Sequence, residues 1–541
     1  MARIVDLIET SWRKTGRFVL AFKERRFACL VLFLGGVVLF AHLFHLAGVP
    51  TGLYLDESSI GYNAGLLAQT GADEHGVRFP VFFEAFGEYK NPVYIYTAAL
   101  IFKLFGVSEF NLRLTSFVFF AVAWVCTAGL AARMFPGRKT ILLYVLLSFG
   151  FLPHFFTISR LAFEAVSQLA FVAAGLLLIW RLFEEGRGRT AWPPAALCGL
   201  VLGVSVYTYT TARLLTFLML AVLWVIYLRR ENLARLAILT ATFLLALLPY
   251  GWFALAYPDA LTKRFDFVSY LSADISWLEK AKIFALNLLE YWSPGFLIKS
   301  GDANLRHATG YGGVIFTATL ALFLLGVVFV LTRRRLLLQR FNLFLLANLL
   351  LAPMAAALTS QGTPHALRSQ LMSLYVLLFS GYGLLFLAEI RADYPRRVLT
   401  GLALLVLVGE IGAYQVDYFV AYPARSLDAM GSYDLKGDLQ RAIDWQPTVI
   451  YYADKPKDYY ASVDFYSLLV DNPQQVPIQL RTRYEPVPGS CLLYHRDIEY
   501  ELEDFPAPYE QLESAYVLGP LQRLLHVEQP APVFKLRCYP G

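Results

Sequence analysis

Charge is scarce in this chain of 541 residues: Asp, Glu, Lys and Arg make up 16% of it and apolar residues 57%. Water-soluble globular proteins carry about 25% charged residues, so a soluble fold is excluded at the outset. Cysteine is scarce too. Cys29, Cys126 and Cys198 fall in apolar runs, where they read as small packing residues, while Cys491 and Cys538 lie near the end and could pair if that region is exported. No Cys/His group has structural zinc spacing. There is no glycine-rich strand–turn–helix fingerprint and no phosphate loop, which argues against a water-soluble nucleotide-sugar enzyme. No basic module interleaved with aromatics is present, so nucleic acid is not an expected partner.

What fills the chain is apolar. Windows without a single charge occur at 27–55, 114–132, 165–180, 190–212, 236–258, 307–332 and 341–367. Each is long enough, or nearly so, to cross about 30 Å of hydrocarbon as a helix. Twelve apolar segments are expected, near 27–47, 92–106, 111–132, 140–157, 162–182, 192–210, 212–228, 235–256, 311–331, 340–358, 367–388 and 397–411. The first follows a basic lead and reads as a retained helix, not a cleaved signal.

The scarce charges are sorted. Residues 411–541 hold 11 Lys/Arg and 18 Asp/Glu, and the rest of the chain is strongly basic. Its basic clusters, including Arg187/Arg189, Arg229/Arg230, Arg333–Arg335 and Arg396/Arg397, mark one set of loops as cytoplasmic. The other set is 48–91, 158–164, 207–213, 257–310 and 359–368, expected on the opposite face. One conflict stands: the segments at 92–106 and 111–132 would both join an outer loop to an inner one. Two crossings cannot do that, so either one is re-entrant, a span is merged or miscounted, or the charge rule misleads locally. Three regions follow: a cytoplasmic basic lead (1–26), a multi-helix transmembrane catalytic region (27–411) with large outer loops at 48–91 and 257–310, and an extracytoplasmic α/β domain (412–541). In the last, helices are expected at 434–446 and 459–469, and strands at 448–454, 475–483, 489–495 and 532–538.

The polar residues of interest all fall in the outer loops. Asp56 and Glu57 directly follow the first apolar segment, and carboxylates kept beside hydrocarbon usually mark function. A short helix over 58–69 is expected to lie on the bilayer, offering Ile60, Leu66 and Leu67. Lys90 precedes another apolar segment and could meet a phosphate at headgroup level, or simply snorkel. Arg160 and Glu164, four apart, share a helix face and could pair. Tyr209 and Arg213 sit at the next outer turn. A dense run follows with Lys299, Asp302, Asn304, Arg306 and His307, and His365 and Arg368 open a later helix. Cations at one membrane face can hold a phosphate or diphosphate, and a carboxylate beside them can take a proton from an attacking hydroxyl. A plain solvated loop surface is the alternative for any one of these groups. A stretch near 277–290 reads as amphipathic and resting on the membrane.

The segment Leu53-Tyr-Leu-Asp56-Glu57-Ser-Ser-Ile-Gly-Tyr62-Asn-Ala resembles the first outer loop of membrane glycosyltransferases with the C-type fold, closest to the protein O-mannosyltransferase and aminoarabinose-transferase group. Lys90-Asn91-Pro92 is similar to that group's Lys-Pro-Pro-like start of the next helix, with Asn in place of the first proline. Leu104-Phe-Gly-Val-Ser-Glu-Phe-Asn-Leu-Arg113-Leu is similar as well, and the likeness spans most of 27–410. The resemblance implies an all-α polytopic fold with a small C-terminal α/β domain. It also implies inverting transfer of a monosaccharide from a polyprenyl-phosphate donor to an acceptor hydroxyl, in glycan biosynthesis at the cell envelope. On this reading Asp56 is the base and Glu57 orients the acceptor or a neighbouring base group. Lys90, Arg306 and Arg368 meet the leaving phosphate with help from His307 and His365, and Arg160 and Arg213 stand behind them. Tyr62, Glu88, Glu164, Tyr209, Asp302 and Asn304 are candidates for holding sugar or acceptor. No cofactor is implied, although the acidic first loop leaves a divalent metal open. The expected partners are the lipid donor, the bilayer, and an acceptor that is glycan, lipid or protein. The expected location is the plasma (inner) membrane, with the active site and tail extracytoplasmic. A polymerase or ligase using a lipid diphosphate, and a lipid or sugar transporter, are the alternatives. A transporter would place its charges near the bilayer midplane, whereas here they cluster at span ends.

Overall fold

The computed structural model describes residues 25–185, 192–455, 459–503, 507–512 and 516–541. The basic lead lies almost wholly outside them, as do Arg187 and Arg189. Among the described residues all twelve apolar segments are helices. Seven are long and apolar enough to cross a membrane. They are α1 (Arg25–Leu43), α4 (Glu109–Met134), α7 (Ala165–Glu185), α10 (Arg230–Ala256), α14 (Arg340–Ala357), α15 (Ala366–Ala388) and α16 (Asp393–Arg425). Five are shorter: α3 (Pro92–Phe105), α5 (Lys139–Phe151), α8 (Trp192–Ser205), α9 (Ala212–Tyr227) and α13 (Thr317–Thr332). Between these lie α2 (Leu55–Thr70), α6 (Pro153–Ile158), α11 (Lys263–Val268) and α12 (Trp277–Glu290). Small residues set the closest packing. Gly326 of α13 faces the Phe379 carbonyl of α15, and Gly383 of α15 faces the Leu322 carbonyl, so the two backbones touch where a side chain would not fit.

The conflict at 92–132 is resolved by α3. Asn91, just before it, bonds Glu164 and Arg213. Glu109, just after it, accepts a 2.9 Å hydrogen bond from Tyr466 of the C-terminal region. This 14-residue helix thus runs between the outer-loop residues Glu164 and Arg213 and the C-terminal region, two regions expected on one face, which accounts for the conflict without a crossing. Its exposed Leu100, Leu104 and Phe105 suit contact with lipid. The amphipathic stretch is α12, which has no buried residue and exposes Trp277, Leu278, Leu286 and Leu289, as a helix lying on a bilayer would.

The C-terminal region holds α17 (Leu435–Asp444), α18 (Tyr460–Ser467) and a mixed five-stranded sheet. Ahead of it in the chain is a two-stranded hairpin, β1 (Phe83–Ala85) and β2 (Glu88–Lys90). The sheet contains β3 (Val449–Ala453), β4 (Ile478–Arg481), β5 (Ser490–His495), β6 (Glu510–Gln511) and β7 (Phe534–Tyr539), in the order β4-β3-β5-β7-β6. β3 runs parallel to β4 and β5, and β7 is antiparallel to β5 and β6. The four longer strands lie within the stretches expected to be strands, and the two-residue β6 was not expected. Cys491 and Cys538 face each other across β5 and β7 and form a disulfide.

This region braces α2 from behind. The Ser462 and Ser58 hydroxyls are 3.1 Å apart, and the Leu53 amide donates to the Ser432 hydroxyl at 2.8 Å. Gly61 lies so near Phe465 that a Cβ would sit 2.6 Å from the ring. The expectation that α2 offers apolar residues to the bilayer is corrected here: Ile60 and Leu67 are buried in the protein core.

Candidate active site

The site grows from the start of α2. Asp56 and Glu57 both lie in its first turn, where the helix dipole favours carboxylates. Successive helical residues point about 100° apart, and the two side chains go opposite ways. Asp56 meets Lys90 Nζ at 2.6 Å. Lys90 is positioned by the β1–β2 hairpin, whose two-residue turn puts Phe86 (φ 56°) and Gly87 (φ 73°) in the left-handed region, as tight hairpins require. Glu57 turns inward to the guanidinium of Arg113, with contacts of 3.0 and 3.2 Å. Its carboxylate also accepts the Tyr54 and Ala162 amides. Arg113 donates further to the carbonyls of Pro50 and Gly52, and both side chains are fully buried.

Asp56 opens onto a cavity of about 790 Å³. All five loops sorted by charge to one face contribute to its wall. Of the expected site residues, Asp56, Glu88, Lys90, Glu164, Tyr209, Arg213, Asn304, Arg306, His307, His365 and Arg368 line it. Four do not. Glu57 is saturated by the bonds just described, so it has no lone pair with which to orient an acceptor. Arg160 is fully buried and donates to the carbonyls of Ala41, His42, Phe44 and Val49, so it caps the end of α1. The expected Arg160–Glu164 pair does not form, because the chain between them is a turn. Tyr62 is half-buried on the side facing Asp464 of α18. Asp302 is buried behind the wall, holding His307 Nδ1 at 2.9 Å and the Ala366 amide at 2.8 Å.

The lining is cationic. Lys90, Arg213, Arg264, Arg306 and Arg368 face three carboxylates, Asp56, Glu88 and Glu164. Lys90 is paired with Asp56, and Arg264 with Glu88 at 3.3 Å. Among the described residues, the other three arginines have no carboxylate partner. Arg306 stacks 3.9 Å over the Tyr54 ring and donates to Asn304. Arg368 donates to the Thr359 hydroxyl and the Gln361 carbonyl. Arg213 donates to Asn91 and the Leu261 carbonyl. Arginine held by neutral acceptors keeps its charge available for an anion.

The carboxylates differ in proton affinity. Burial works to raise Asp56, but the Lys90 ammonium more than offsets it, and its carboxyl sits below the usual range. Burial pushes Glu164 up to about 7, against the pull of Lys90 and of the Asn91 amides that bind both its oxygens at 2.8 and 2.7 Å. Sequence reasoning missed Tyr54, Asn91 and Arg264 in the wall and the role of Arg113 behind it. Arg264 lies in a long mixed segment with no pattern to single it out, whereas Arg113 was already visible in the quoted 104–114 motif.

Comparison with known proteins fits this geometry. Residues 89–253 match the family model for dolichyl-phosphate-mannose-protein mannosyltransferase. No curated protein sequence matches the chain. Among solved structures, ArnT from Cupriavidus metallidurans in the apo state superposes with a TM-score of 0.58 at 12% identity, over 94% of this chain and 98% of that one. The same protein bound to undecaprenyl phosphate gives 0.58 at 12%, over 94% and 97%. The apo oligosaccharyltransferase of Archaeoglobus fulgidus gives 0.53 at 12%, over 88% and 70%. The chain is a multi-pass membrane protein that shares the C-type fold of these structures, and part of it is similar to the protein mannosyltransferase family.

Proposed function

We propose that the protein transfers a monosaccharide from a polyprenyl-phosphate donor to an acceptor hydroxyl, with inversion, at the extracytoplasmic membrane face. The observation that carries this reading is one cavity in which the Asp56–Lys90 pair stands with three arginines free of carboxylates. The donor class is supported by the description of the matched family and by the undecaprenyl phosphate bound to the similar ArnT fold. The acceptor oxygen attacks the anomeric carbon as the bond from that carbon to the phosphate oxygen breaks, and Asp56 takes the hydroxyl proton. A single displacement of this kind inverts the anomeric centre. Lys90 holds Asp56 ionised at neutral pH, so its carboxylate can accept the hydroxyl's hydrogen bond and take the proton as the new carbon–oxygen bond forms. Charge growing on the lipid phosphate meets Arg306, Arg368 and Lys90, and such fixed groups stabilise the transition state without reorganising.

Two features support the orientation. The Cys491–Cys538 disulfide suits an oxidising compartment. With α3 not counted as a crossing, the apolar helices among the described residues are odd in number, which favours a C-terminal region on the face opposite the start of α1. A lipid-diphosphate donor is the second reading, favoured by the five cations in one cavity. A panel of radiolabelled lipid-linked sugars, monophosphate and diphosphate, tests both with the purified protein. Transfer from a monophosphate donor supports the proposal. Transfer from diphosphates alone replaces it with the second reading, and transfer from neither overturns both.

A further inference from the structure

One cluster in the cavity wall takes no part in the steps above. Asp302, His307 and His365 bring three potential metal-ligand atoms within 4.8 Å of one another. Asp302 Oδ2 lies 2.9 Å from His307 Nδ1 and 3.8 Å from His365 Nδ1, and the two imidazoles stack with centroids 4.3 Å apart. Tetrahedral zinc with bonds near 2.1 Å spaces its ligands by about 3.4 Å. The two Asp302 distances bracket that spacing, so the carboxylate lies within about 0.5 Å of the ligand separation to each ring.

The second observation is independent of the spacing. His365 Nδ1 is buried and has no hydrogen-bond partner. A buried ring nitrogen left unpaired is costly, and this one is directed at the Asp302 carboxylate. We propose that Asp302, His307 and His365 form a site for a divalent transition-metal ion with an open position on the cavity, where it would take a phosphate oxygen. The donor set of two imidazoles and one carboxylate is that of zinc sites which keep a coordination position free. The Asp302 carboxylate is anchored by the Ala366 amide, an outer contact of the kind that orients metal ligands. Arg306 and Arg368 oppose a cation here, and an incoming phosphate would offset them. The role assigned to the open position rests on the lipid-phosphate reading, whereas the metal site itself does not.

The test therefore uses no sugar donor. Full-length protein carrying no polyhistidine tag is stripped with a chelator, dialysed and titrated with Co²⁺, reading visible d–d absorption and bound metal per chain. The expected result is one Co²⁺ per chain, with affinity falling at least tenfold in His365→Ala and in His307→Gln. His365→Ala removes no hydrogen bond made by the ring, so folding is expected to survive, and the melting midpoint checks this. Absence of binding in the wild-type chain, or binding unchanged by both substitutions, would overturn the proposal.

Discussion

Asp56 and Glu57 are consecutive residues in one helical turn, each paired with a cation, yet the two pairs have different roles. Asp56–Lys90 opens on the cavity, and its carboxylate has a free side from which to reach a substrate. Glu57–Arg113 is sealed behind it, with every strong hydrogen-bonding direction occupied by backbone from the 46–54 and 162 regions. The buried pair fixes the start of α2, and the open pair uses that fixed position. Identical charge chemistry is thus sealed into the core or opened to a cavity according to which way a helix turns it.

The comparison breaks most visibly at the buried pair. Glu57→Gln leaves the Arg113 charge uncompensated in the core, at a cost of about 3–5 kcal/mol. Urea or thermal unfolding in detergent is expected to show that loss, with little folded protein accumulating. Arg368→Ala, which removes a cavity cation without a carboxylate partner, is expected to leave the melting midpoint nearly unchanged. Its effect should appear in transfer kinetics as a loss of about 10²-fold in kcat, the scale of one electrostatic donor to a developing anion.

The carboxylates can also be separated by pH. Glu164 binds its proton more tightly folded than unfolded, so its contribution to stability is full below its ordinary value of 4.5 and is lost as pH rises through about 7. Over that window the melting midpoint of the wild type is expected to fall relative to Glu164→Gln. Asp56 is shifted the other way, so kcat/KM should hold steady as pH drops from 7 toward 5. A rate that halves near pH 7 would instead assign the base to Glu164. The smallest effect is expected from Gly61→Ala, which pushes α2 and Phe465 apart. A loss of about 1–3 kcal/mol, typical of overpacking, is anticipated in unfolding, with a modest drop in turnover.

Much of this was legible in the sequence where physics is local. Charge-free windows gave the apolar helices, and the sorting of loop charges gathered the five loops that build the cavity. Short apolar, strand-forming runs gave the four longer strands. The sequence could not say which way a side chain leaves its helix, and so Glu57 and Arg160 were expected in the site although both stabilise the chain behind it. For Arg160 the missing information was tertiary, since its partners are carbonyls more than 110 positions away at the end of α1. Arg264 was missed because nothing in its local pattern separates it from ordinary loop residues, and Asn91, although part of the Lys90-Asn91-Pro92 motif, because its partners Glu164 and Arg213 are distant in sequence.

The central claim is that the open carboxylate of the first loop takes the acceptor's proton. Single-turnover transfer of labelled sugar by Asp56→Asn, in protein verified as folded and donor-loaded, tests it most directly. The account predicts donor binding close to wild type and a rate lower by about 10²–10⁴-fold. Turnover equal to wild type would contradict it.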